Sequence, residues 1–161
     1  MPRVEPENGV VVRALARGDL EDVVRIDALH TGEHKPAYWA RVFADAFGAR
    51  GGSPRVALAA EAGSGPRRAL AGYLLGDVRA FEFGSEACGW VFAVGVDPEH
   101  ARKGVASALL DEAARRFREG GIRRVRTMVR RNDVPVLSFF RSNGFVAGPF
   151  TQLERDVTDA T

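Results

Sequence analysis

Apolar and polar positions alternate weakly from Gly9 to Leu15, which predicts a first strand, and the period then changes. Leu20, Val23, Val24 and Ile26 recur at helical spacing after Asp19, so a helix capped by Asp19 is expected to run to Leu29. A second helix is expected over about Pro36 to Phe47, and the glycine-rich stretch Gly48 to Pro54 reads as a mobile loop. A strand follows near Arg55 to Ala60. The segment Gly63-Ser64-Gly65-Pro66-Arg67-Arg68 reads as the turn of a hairpin into a third strand, Ala69 to Val78.

The run from Gly89 to Val96 has a different character. Trp90, Val91, Phe92, Val94 and Val96 are β-branched or aromatic on both faces, which predicts an interior strand, and Asp97-Pro98 ends it. Val105, Leu109, Ala113 and Phe117, with Ala106 and Leu110 beside them, then trace one face of a helix that Gly120-Gly121 terminates. A strand over Arg123 to Val129 comes next. Asn132, Asp133 and Pro135 open a late helix, Gly144-Phe145 closes it, and a final strand is expected around Phe150 to Val157. Residues 1–8 read as a disordered tail and residues 9–161 as one domain.

The turn between the interior strand and its helix carries the chemistry. Gly104 and the small Ala106 allow backbone amides to approach an oxygen-rich ligand closely. The first helical amides have no carbonyl partner within the helix, and its dipole adds roughly half a positive charge there. A pyrophosphate is stabilised by that arrangement, and Arg102 and Lys103 add further positive charge.

Composition narrows the picture. A chain of 161 residues with 45% hydrophobic content is long enough for one sizeable core. No run approaches the roughly 20 apolar residues that span a bilayer, and the N-terminus has no signal-peptide core, so a soluble, cytoplasmic chain without a membrane partner is expected. The formal net charge of +2 gives no reason to expect a nucleic-acid partner. The cluster Arg123, Arg124, Arg126, Arg130 and Arg131 reads as a solvated strand face. The single cysteine, Cys88, excludes an internal disulfide, and with no adjacent histidine at the head of an apolar strand it reads as a buried inert thiol. His30, His34 and His100 lack metal-ligand spacing, so no metal site is expected.

Two ordered segments resemble the signature of the GNAT superfamily of acetyl-CoA-dependent N-acetyltransferases. The strand end Val94-Gly95-Val96 with Pro98 and the turn Ala101-Arg102-Lys103-Gly104-Val105-Ala106 are similar to the family's V-x-V-x-P strand and Q/R-x-x-G-x-G/A turn, with Ala101 where Gln or Arg is usual. The later run from Asn132 to Phe145 resembles the family's Asn-opened helix and its glycine-phenylalanine close. The resemblance implies an α/β fold with a mixed, mostly antiparallel central sheet flanked by helices, its fourth and fifth strands splayed. It implies acetyl-CoA as co-substrate, held by Val94, Gly95, Val96, Ala101, Arg102, Lys103, Gly104, Val105, Ala106, Ser107 and Asn132. One of the amides near Val94, Gly95 and Val96 would stabilise the oxyanion. Gly95 suits either a close ligand approach or a packed neighbour.

The implied reaction is direct attack of a primary amine on the thioester carbonyl through a tetrahedral intermediate, which needs a base for the amine and a proton for the thiolate. Where many relatives carry a tyrosine four residues before the closing glycine, this chain has Phe140, which cannot donate a proton. Water or Tyr73 on the third strand are substitutes. Glu82 and Glu86 are the candidate bases. Glu82 is the first choice, because flanking Phe81 and Phe83 would raise its pKa if their rings shield it. The acceptor is expected near residues 30–38 and 78–86, where Glu33, Asp77, Glu82 and Glu86 suit a cationic small amine, peptide or amino-acid-like acceptor and Arg79 suits a carboxylate. The family's habits also admit a homodimer. The competing reading is a catalytically silent acyl-CoA-binding sensor, motivated by Phe140 and Ala101. A nucleotide-binding fold would leave the late asparagine and glycine-phenylalanine motif unexplained.

Overall fold

Strong periodicity and glycine punctuation produce the expected elements over most of the chain. The computed structural model describes residues 9–48, 56–63, 66 and 68–158, which fall into two compact units, one within Met1–Met128 and one within Val129–Thr161. The tail expected over residues 1–8 and nearly all of the loop expected over 48–54 lie outside the described residues.

In the first unit, β1 (Val10–Ala14), β2 (Val56–Ala62), β3 (Ala69–Arg79), β4 (Cys88–Val96) and β5 (Val125–Arg126) form one sheet in that order. The first three pairings are antiparallel and β4 meets β5 in parallel. A parallel neighbour requires a crossover, which α3 (Val105–Glu119) supplies. With α1 (Leu20–Thr31) and α2 (Pro36–Phe47), this is the mixed, mostly antiparallel sheet flanked by helices that was expected. The β4–β5 pairing is confined to Gly89 with Val125 and Trp90 with Arg126, and the two strands part beyond it.

The sheet's glycines set the seat of α3. Val105, Leu109, Leu110, Ala113 and Phe117 form its buried stripe. A β-carbon on Gly89 would lie 2.8 Å from the Phe117 ring, and one on Gly72 would lie 2.9 Å from Val105. Side chains at these positions would lift the helix off the sheet. Because Gly72 pairs with Val96, the first turn of α3 stands over the end of β4. Tyr73 and Leu75 alternate to the opposite face and join Leu15, Val23, Val24, Ile26, Trp39 and Phe43 in the core beneath α1 and α2.

Three expectations are corrected. Asp19 stands at the start of α1, but its carboxylate does not cap the helix; it accepts 2.8 Å bonds from both terminal nitrogens of Arg13 and a 2.7 Å bond from the Ala16 amide. Burial pushes that carboxyl up, yet the Arg13 and Ala16 bonds outweigh it and hold the group below the usual range. The strand expected over Arg123 to Val129 contracts to Val125–Arg126. No strand forms over Phe150 to Val157, where every residue is exposed. Phe150, Leu153 and Val157 do not alternate, and the described residues of the second unit offer no strand to pair with.

The second unit is organised by α4 (Val134–Ser142). Asp133 caps it by accepting from the Val136 amide at 3.2 Å, Pro135 occupies its first turn, and Gly144, at φ +84°, turns the chain so that the Phe145 amide donates to the Phe140 carbonyl at 3.0 Å.

Candidate functional site

The site begins with a one-residue irregularity in β4. Leu75 pairs with Ala93 and Gly76 with Val91, so Phe92 is an extra residue without a partner, a bulge that reverses which backbone groups face β3. Before it, the Gly89 amide is directed to the Arg124 carbonyl on the β5 side at 2.8 Å, and the Val91 carbonyl accepts from Thr127 Oγ1 at 2.9 Å. After it, the Asp97 amide donates to the Ala71 carbonyl at 2.8 Å. By alternation Gly95 shares that edge, and the amides of Val94 and Val96 turn outward, where the β5 pairing has ended. His30 Nε2, from the last turn of α1, meets the outward Val96 carbonyl.

Of the three expected amides, therefore, Val94 and Val96 address the open edge while Gly95 is directed into the sheet. The absent side chain of Gly95 serves packing, since a β-carbon there would lie 2.7 Å from the Tyr73 ring. Tyr73 is buried and meets Trp39 edge-on at 5.3 Å. Trp39 Nε1 donates to Asp27 Oδ2 at 3.0 Å, and Lys35 Nζ lies 3.0 Å from the same oxygen. α1 and α2 are thereby joined to each other and, through Trp39, to Tyr73 of β3. Burial, reinforced by Asp27 and Tyr38, holds the Tyr73 phenol well above its usual range, so it remains neutral and is a poor proton donor to a thiolate.

The turn after β4 is anchored at its start. Asp97 accepts from the Glu99 amide at 3.0 Å and from Arg25 Nη1 at 2.8 Å. Pro98–His100 form a single helical turn, Arg102 takes φ +62° and Gly104 φ +76°, and α3 begins at Val105. Its first helical bond runs from the Ala108 amide to the Gly104 carbonyl at 3.0 Å, so the amides of Val105, Ala106 and Ser107 are unpaired within the helix. Ala101, Arg102, Lys103 and Gly104 are exposed around this end. Unpaired amides, the helix dipole and two adjacent cations are what an anionic group such as a pyrophosphate needs.

The other expected residues divide. Glu82 and Glu86 are exposed on the β3–β4 loop, where Glu82 lies 3.8 Å from Arg79 Nη1. The apolar shield expected for Glu82 is absent, because Phe81 and Phe83 are 80% and 89% exposed. Both residues sit at positive φ. Asn132 stands in the second unit, one residue before the Asp133 cap. In that unit Phe140 is buried, with ring contacts to Phe139 at 5.2 Å and Phe145 at 5.1 Å. Cys88 is free and buried. No group of three or more metal-ligating side chains occurs among the described residues, and none of their helices is long and apolar enough to cross a membrane.

Sequence reasoning missed Arg25, Asp97 and His30. The Asp97-Pro98 pair, a polar residue closing an apolar strand, was the available signal for the anchor. Nothing local marked the reach of His30 to β4.

Comparison with known proteins agrees with this fold. The family model described as "Acetyltransferase (GNAT) family" matches residues 20–145. No curated protein gives a significant match. Among solved structures, an aminoglycoside antibiotic 6'-N-acetyltransferase from Acinetobacter baumannii superposes with a TM-score of 0.73 at 14% identity, covering 92% of this chain and 99% of that one. An aminoglycoside N-acetyltransferase in complex with CoA gives 0.71 at 15% identity over 92% and 95% of the two chains. A protein titled a transcriptional regulator from Bacillus halodurans C-125 gives 0.71 at 18% identity over 91% and 99%. At these identities the likeness is one of fold.

Proposed function

The chain belongs to the GNAT acetyltransferase family, and from that premise we propose that it is an acetyl-CoA-dependent N-acetyltransferase acting on a primary amine. The observation that carries the reading is the continuous run from the outward amides of Val94 and Val96, through the turn Ala101–Gly104, to the unpaired amides at the start of α3. A thioester cofactor needs all three features at once. The pantetheine arm would pair with the open edge of β4, and the pyrophosphate would rest on Val105, Ala106 and Ser107 with Arg102 and Lys103 beside it. Asn132 is retained as a cofactor contact on its motif.

When bound, acetyl-CoA supplies the activated acyl carbonyl. The protein would hold it and present an amide where the tetrahedral oxyanion develops, a role that falls to Val94 or Val96. Gly95 contributes by leaving room for Tyr73 under that edge. With Phe140 packed among phenylalanines, the thiolate takes its proton without a tyrosine at that position. Glu82 and Glu86, unshielded, attract a cationic acceptor and raise its local concentration. Small amines and peptide or amino-acid-like acceptors fit that charge.

The test is thiol release from acetyl-CoA against a panel of amines, amino acids and peptides, with acetyl-CoA affinity measured in parallel. Acceptor-dependent release supports transfer. Tight binding without release across the panel would favour the silent acyl-CoA sensor, which Phe140 recommends as the second reading.

A further inference from the structure

We propose that the acceptor is an extended peptide, and that a basic and apolar segment of it docks on Phe81 and Phe83 of the β3–β4 loop, an assignment that rests on the acetyl-transfer reading and selects among the acceptor classes which that reading leaves open. Both rings stand almost wholly in solvent on either side of Glu82. Phe81 takes φ +58°, Phe83 φ +52° and Gly84 φ +71°, a left-handed conformation that bulky side chains seldom adopt because it costs energy. The Ser85 amide closes this turn by donating to the Glu82 carbonyl at 3.0 Å. Strain that buries neither ring contributes nothing to the core, and backbone strain collects where a protein meets a ligand. Two large rings held in water beside charged residues offer apolar surface to a partner.

Charge decides the kind of partner. Residues 77–87 carry the acids Asp77, Glu82 and Glu86 against one base, Arg79. Arg79 is engaged, with its guanidinium 4.2 Å from the centre of the Trp90 ring, 3.8 Å from Glu82 and 4.0 Å from Asp77. Glu86 is exposed and has no ion-pair partner among the described residues. An acidic loop with open aromatic faces suits arginine or lysine set beside apolar side chains, because the rings take apolar contact at their faces and hold a cation there as well.

Distance decides its length. The loop ends where β4 begins, at Cys88, and the amide proposed for the oxyanion at Val94 is six residues further along that strand, or about 20 Å. A single amino acid or a short alkylamine held at Val94 cannot touch the loop. An extended peptide covers the same span in about six residues. Phe92, exposed at the bulge, lies between the two on β4.

The experiment compares wild type with the double variant Phe81→Ala and Phe83→Ala, using acetyl-CoA, butylamine and peptides of about two to ten residues. Each peptide carries one primary amine, either its α-amine or a single lysine, and the longer ones carry an arginine–leucine–arginine segment at increasing distance from it. The expected result for wild type is a rise in kcat/KM of about tenfold once that segment lies about six residues from the amine, a gain that the double variant loses. Butylamine kinetics and acetyl-CoA affinity should agree between the two proteins within about twofold, since the rings lie far from both. A series without that rise, or a double variant that keeps it, would overturn the docking role and leave acetyl transfer intact. A wild-type dimer in sedimentation that the double variant loses would assign the rings to a second copy of the chain instead. A wild type that binds acetyl-CoA but acetylates neither butylamine nor any peptide would overturn the transfer reading and this assignment with it.

Discussion

Arg25 on α1 and Asp97 at the end of β4, 72 positions apart in the chain, meet through a 2.8 Å bond from Nη1 to Oδ2. Asp97 is nearly buried and also accepts from the Glu99 amide, so one carboxylate fastens α1 to the first residues of the cofactor turn. The bond with Arg25 holds the Asp97 carboxyl below its usual range against the opposing effect of burial, aided by Glu99 and His100.

Replacing Asp97 with Asn should cost about 1–3 kcal/mol at neutral pH, as expected when a charge-assisted bond is lost at a buried group. A carboxyl depressed in the folded state stabilises fully above its unfolded value, about pH 4, and loses that contribution as pH falls through the folded value. Thermal melts from pH 7 downward should therefore show the gap between wild type and Asp97→Asn closing in acid. A gap independent of pH would mean that the charge of Asp97 does not contribute.

Gly95→Ala forces a β-carbon to within 2.7 Å of the buried Tyr73 ring. The ring is packed against Trp39 and has little freedom, so overpacking should cost about 1–3 kcal/mol. Tyr73→Leu in the same chain makes room, and the double variant should lose less than the sum of the two singles. Strict additivity in denaturant melts would argue against the contact.

Glu82→Gln separates attraction from catalysis. Exposed and 3.8 Å from Arg79, Glu82 makes an ion pair of the kind worth about 0–1 kcal/mol, so folding should be unaffected. The Michaelis constant for a cationic acceptor should rise about two- to fivefold at low salt and converge with wild type as added salt screens the field. A fall in kcat on the order of 100-fold would instead identify Glu82 as the base.

Phe140→Ala should destabilise the second unit by about 3–5 kcal/mol, since it removes a buried ring that touches Phe139 and Phe145. Proteolysis within residues 129–161 would report the loss. A variant as resistant as wild type would show that these ring contacts do not organise the unit.

Where a period is strong and punctuated, the fold was legible: α3 runs from Val105 to Glu119 between Gly104 and Gly120, and α2 spans Pro36–Phe47 as expected. What escaped depended on partners distant in sequence. The bulge at Phe92 exists only relative to β3, so no pattern within β4 could show that Val94 and Val96 face the open edge and Gly95 faces β3. His30 and Arg25 acquire meaning from the seating of α1 against β4. Phe81 and Phe83 failed as a shield because adjacency in sequence does not bury a ring: both stand in solvent on the β3–β4 loop. The final strand failed because scattered apolar residues without a partnering edge do not make one.

The central claim is that the end of β4, its turn and the start of α3 form an acyl-CoA site. Calorimetric titration of acetyl-CoA into wild type and Gly104→Ala tests it most directly. Gly104 holds φ +76° where the first amides of α3 are presented, and an L-residue there costs roughly 1–2 kcal/mol of backbone strain. Saturable one-site binding by wild type, weakened about tenfold or more in a variant whose far-UV dichroism is unchanged, is the predicted result. No binding to wild type, or equal affinity in the two proteins, would contradict the account.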